Sequence, residues 1–168
     1  MQITLSRQPV ERVNSRSCRC LMIDAVTGEH AASRHDTRTG TVTAGLLLDA
    51  PGLPQLLELV EHVRPSHEIH LVCPGQPGLI RLGTTVITLR MLRLDQRVRA
   101  SFIALGHSLG TDAALVLGGA NVGLGQDGQA FLEALADLVQ AEVSALVRLS
   151  PPVWRSAPAE PLSSPAAF

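Results

Sequence analysis

The sequence predicts a doubly wound α/β domain: a five-stranded, mostly parallel sheet with helices on both faces, in a three-layer, flavodoxin-like sandwich. Three observations carry this. Short apolar runs bounded by Gly, Pro or Asp alternate with longer stretches whose apolar residues recur at helical spacing. The run at 113–119 is almost uninterrupted in apolar residues, as in a strand covered on both faces. Residues 113–128, AALVLGGANVGLGQDG, then pass from strand through a glycine-rich turn at 120–126 into a helix. Such a loop lies at the carboxyl end of a strand, where open α/β sheets hold their sites.

Taken in order, residues 1–19 are polar and Arg-bearing and read as a loose arm. Residues 20–23 (CLMI) form a first strand ending at Asp24, and 25–40 fit a loop or a short helix. A second strand spans 41–48 and closes at Asp49. The segment 54–63, PQLLELVEHV, is a helix, with Pro54 in its first turn and Pro65 beyond its end. Residues 67–73 (HEIHLVC) make a third strand, 74–78 (PGQPG) a sharp turn, and 79–87 a hairpin around Gly83. One long helix is expected over 88–105, with its arginines on a solvated face. The fourth strand is 113–119, a helix capped by Asp127 runs to 140, and 142–147 is the fifth strand. Residues 150–168 are rich in Pro, Ser and Ala and read as a flexible tail, so the folded unit is 20–149.

The composition narrows the chemistry. The chain has 168 residues, 45% apolar and 17% charged, enough for one domain with a real core. A formal net charge of −1 and only 2% aromatic residues argue against a nucleic-acid partner. All 14 basic residues are Arg, which excludes Schiff-base lysines and a lysine-bearing phosphate loop. Cys18, Cys20 and Cys73 form no disulfide framework, and their spacing predicts no metal site. No apolar run is long enough for a membrane span, and the N-terminus lacks a signal-peptide pattern, which makes a cytoplasmic location the default expectation. No cofactor motif stands out: the Gly118–Gly128 loop could hold an anion, but it lacks the dinucleotide fingerprint.

Several residues compete for a site. Gly106-His107-Ser108-Leu109-Gly110 matches a nucleophile elbow and would make Ser108 the serine of an α/β-hydrolase, yet no histidine follows it in the chain. Cys73, at a strand end, is either a displaced thiol nucleophile or a small buried hydrophobe. His70 reads as a core histidine. Asp24, Asp49 and Asn121 fall at strand ends, as a polar cleft or as turn chemistry.

Two blocks, HEIHLVCPGQPGLIRLG (67–83) and LGHSLGTDAALVLGGANVGLGQDG (105–128, continuing QAFLEALADLVQAEV), resemble the domain of unknown function 4347 family. That family is usually found near the start of large, repeat-rich bacterial surface or secreted proteins. It is similar in arrangement to caspase- and gingipain-like cysteine peptidases, with a His-Gly pair after strand three and a Gly-Cys pair after strand four. The resemblance maps the His position onto Pro74, before Gly75, and the Cys position onto Ala120, after Gly119. It therefore implies a caspase-like domain with no catalytic dyad. Together with the strand-end positions, the candidate cleft comprises Asp24, Asp49, Cys73, Gly75, Gly119 and Asn121. The expected function is a non-enzymatic binding module for an unidentified protein or small molecule. Serine hydrolysis through Ser108 and cysteine chemistry through Cys73 are the alternatives.

Overall fold

The structure, a computed structural model, describes residues 19–26, 34–36, 38–63, 67–110, 112–118 and 121–146. Its main sheet has six strands: β1 (Cys20–Asp24), β2 (Arg34–Asp36), β3 (Thr41–Gly45), β4 (Glu68–Val72), β8 (Ala114–Gly118) and β9 (Glu142–Leu146). Their order is β2-β3-β1-β4-β8-β9. The five strands from β3 to β9 are all parallel, and β2 adds an antiparallel edge. The parallel strands follow the flavodoxin-like order of a doubly wound α/β fold, while the described helices, expected on both faces, all pack on one. The strands read at 67–73 and 113–119 are β4 and β8, adjacent, parallel and interior. The edge strand β2 was not expected, because Arg34-His35-Asp36 carries no apolar signal.

The helices are α1 (Gly52–Val63), α2 (Leu89–Leu94), α3 (Gln96–Ser108) and α4 (Gly125–Val139). The steps β3 to β4, β4 to β8 and β8 to β9 all cross the sheet in the same direction, and right-handed crossovers then put their helices on one face. Accordingly α1 packs on α3, α3 on α4, and α2 on both α3 and α4. Beneath them lie Leu21, Ile23, Val42, Ile69, Leu71, Leu115 and Leu117 from the strands. Phe102 of α3 and Phe131 of α4 fill the centre of this core, each burial contributing about 1.5–3 kcal/mol. The opposite face, with Cys20, Thr41, Thr43, Glu68 and His70, is half-buried, and Met22 on it is exposed. The connecting segment 27–33 and the chain beyond 146 lie outside the described residues.

The single helix expected over 88–105 is two helices. Asp95 breaks it: its extended backbone ends α2, and its carboxylate accepts the N–H groups of Arg97 (2.9 Å) and Val98 (3.2 Å) to start α3. A side chain that satisfies the first donors of a new helix competes with continuation of the old one. Arg99, read as part of a solvated face, donates to the carbonyl of Leu92 at 3.0 Å and so serves the end of α2. Asp127 does not cap α4, which starts at Gly125 after Leu124; its carboxylate lies in the first turn, on the favourable side of the helix dipole.

The hairpin at 79–87 grows into a three-stranded meander, β5 (Gly75–Gln76), β6 (Leu79–Leu82) and β7 (Thr85–Thr88). It straps across the carboxyl ends of the main sheet. At one side Pro51 bridges to Gly83 and Thr84 donates to the Ala50 carbonyl (3.0 Å). At the other, Gly78 donates to the Val122 carbonyl (3.1 Å). Ile80, Leu82 and Ile87 are completely buried, so the strap is part of the core.

Gly106 is set by packing, since a Cβ there would run into the Val139 carbonyl at the end of α4. Replacing a helical glycine with alanine should gain roughly 1 kcal/mol from helix propensity alone. Gly106→Ala is expected instead to lose about 1–2 kcal/mol, because overpacking against rigid backbone outweighs that gain. Urea denaturation followed by circular dichroism measures it, and a midpoint at or above wild type would contradict the close approach.

Candidate functional site at the carboxyl edge

The ends of β1, β4 and β8 stand side by side. Asp24 pairs in register with Val72, and Val72 with Gly118. Ladder bonds run one residue further, from the Ala25 N–H to the Val72 carbonyl (2.8 Å) and from the Cys73 N–H to the Gly118 carbonyl (2.9 Å). Asp24, Val72 and Gly118 therefore form a row along the edge, with Cys73 one residue beyond it.

Each candidate residue has a definite place. Asp24 Oδ1 accepts the Val26 N–H at 2.7 Å, closing a turn at the strand end. Asp49 is exposed, four residues past the end of β3, on the loop that leads to α1 rather than in the row. Cys73 is buried at 1% exposure, and burial pushes its thiol up to about 12. Pro74 is exposed, and its carbonyl accepts the Arg81 N–H at 2.8 Å. Gly75 starts β5, where a Cβ would press on the Leu79 carbonyl (2.6 Å) and a Val122 methyl (2.7 Å). Gly119 and Ala120 lie outside the described residues. Asn121 has a left-handed backbone (φ 59°), and its buried Oδ1 has no hydrogen-bond partner among the described residues.

No described histidine reaches this edge. His62 and His107 occupy the last turns of α1 and α3, which run back to the amino-terminal end of the sheet. His67 immediately precedes β4, and His35 pairs with Val42 on the outer strands. His70 projects from the middle of β4 on the face away from the helices; it is not the core histidine expected from the sequence. Ser108 ends α3, and its Oγ donates to the Ala104 carbonyl at 3.2 Å. The order around it is helix, loop, strand, whereas a nucleophile elbow needs strand, turn, helix.

Beside the edge lies an open groove of about 590 Å³ between the meander turn, α2 and the first turn of α4. Pro77, Leu89 and Leu94 line it with Arg90, Arg93 and Asp127. On the half-open face of the sheet, the β1–β4 register sets Cys20 opposite Glu68. With His70 they bring three donor atoms within 4.8 Å of one another, a cluster that cysteine spacing did not reveal.

Fold and edge together define a doubly wound α/β domain with a strapped carboxyl edge. A family model described as Domain of unknown function (DUF4347) matches residues 21–149, and the chain belongs to that family. No curated protein and no solved structure matches it. Among the described residues no helix is long and apolar enough to cross a membrane.

The buried thiol has a consequence for stability. Its folded-state pKa lies above the ordinary 9.0, so the folded protein favours the neutral form. The associated stability is intact below about pH 9 and is lost as pH rises toward about 12. With no Lys and no Tyr in the chain, few other side chains titrate in that window. Denaturant midpoints of the wild type should hold up to about pH 9 and fall from there to about pH 11, and should fall much less in Cys73→Ala. At neutral pH, Ellman's reagent should reach Cys73 only after unfolding.

Proposed function

We propose that the domain is a catalytically degenerate, caspase-like module that holds a partner at the carboxyl edge of its sheet without turning it over. The observation that carries this is the pairing of a buried, protonated Cys73 with an edge that no described histidine reaches. Thiol attack needs a thiolate, a base within hydrogen-bond reach and room for a carbonyl. The positions that the family resemblance assigns to base and nucleophile carry Pro74 and Ala120, which have neither group to offer.

Binding is supported by the polar and apolar surfaces that remain. Asn121 Oδ1, just past the end of β8, is an acceptor without a hydrogen-bond partner among the described residues. The groove between the meander turn, α2 and α4 combines apolar Leu89 and Leu94 with the cationic heads of Arg90 and Arg93. That combination suits an apolar peptide segment carrying an acidic residue, which the guanidinium groups can pair with.

Two assays test the catalytic half. Fluorogenic peptides with Arg, Lys or Asp at the cleavage position should give no turnover above buffer. A fluorophosphonate probe should leave Ser108 unlabelled. Turnover abolished by Cys73→Ser, or stoichiometric labelling abolished by Ser108→Ala, would overturn the proposal.

A further inference from the structure

We propose that Cys20, Glu68 and His70 form a zinc-binding site on the half-open face of the sheet, away from the carboxyl edge. The site is independent of what the edge binds.

The donor set is a thiol, a carboxylate and an imidazole. Thiolate and imidazole together select a borderline-soft cation, and zinc accepts all three donor types. Zinc bonds of about 2.0–2.3 Å at tetrahedral angles place neighbouring donors roughly 3.3–3.8 Å apart. His70 Nε2 lies 3.0 Å from Glu68 Oε2, and all three donor atoms fall within 4.8 Å. The donor separations are thus within about 1.5 Å of those the metal needs.

The backbone carrying these donors is firmly held. Cys20 and Glu68 are directly paired across two interior parallel strands, and His70 follows two residues on, on the same face. The N–H of Glu68 also donates to the Arg19 carbonyl at 3.1 Å, which fixes the start of the pairing. Donors on packed strands lose little freedom when they close on a cation. The side chains of His70 and Glu68 remain 27% and 45% exposed, so a hydrated ion has a way in. Three protein ligands leave one zinc position open to water or to a ligand atom. Without metal, His70 Nε2 and Glu68 Oε2 touch directly at 3.0 Å; a bound cation would sit between them and replace that contact.

The test uses the full chain, reduced and stripped of metal. Cobalt(II) is titrated as the spectroscopic stand-in, then displaced with zinc. A one-to-one complex is expected, with a thiolate-to-cobalt charge-transfer band and the strong visible bands of tetrahedral cobalt. Cys20→Ser should abolish the charge-transfer band. Glu68→Gln and His70→Ala should each weaken binding by more than about tenfold, since even an outer hydrogen-bond partner of a ligand matters on that scale. Zinc should also protect Cys20 of the unmutated chain from alkylation, read by peptide mass, which does not depend on any variant folding. Absence of the charge-transfer band, or alkylation of Cys20 unchanged by zinc, would overturn the proposal. So would a band that survives Cys20→Ser and disappears in Cys18→Ser.

Discussion

The handedness of three crossovers organises this molecule. From β3 onward every parallel strand is added on the same side of its predecessor, and right-handed connections then have no choice but to stack α1, α3 and α4 on one face. The hydrophobic core follows from that. Alternate strand residues such as Leu21, Ile69 and Leu115 are sealed under helices, while their neighbours Cys20, Glu68 and His70 face the other way. The close fit of α3 to α4 at Gly106 follows as well, because adjacent helices on one face must share a limited width of sheet.

The same arrangement shapes the carboxyl edge. Ligand sites in open α/β sheets lie where strands end and loops diverge. Here the β5–β7 meander crosses that edge and anchors to loops at both sides, with its apolar residues inserted into the core. Cys73 is buried in the core at the end of β4, and burial keeps its thiol in the neutral form. Among the described residues the polar features near the edge are the Asp24 turn, the Asn121 amide and the neighbouring arginine-bearing groove.

Gly-His-Ser-Leu-Gly shows how one pentapeptide can point to two different structures. By pattern it is a nucleophile elbow. In the fold it ends α3 and leads into β8, and its first glycine answers to a carbonyl of a neighbouring helix. The pattern is local, whereas the reason for the glycine is a contact with Val139, 33 residues further along the chain.

The sequence by itself determined the class of fold and most of its elements. Apolar periodicity is a local property, and it marked the strands at 20–24, 68–72 and 114–118 and the helices at 52–63 and 125–139 to within a few residues. The absence of lysine, and of a nucleophile or base at positions 120 and 74, is equally a property of the chain alone. Tertiary structure decided the rest. The break at Asp95 turned on a side chain capping the next helix, where an equally helical pattern continued through it. Strand β2 has almost no apolar signal and exists through its pairing with β3. His70 and Glu68 share a strand face by their spacing, but Cys20 meets them only through the register of β1 on β4, which no stretch of sequence encodes by itself. Register is chosen by which residues the helices can bury, and that choice belongs to the whole sheet rather than to any one strand.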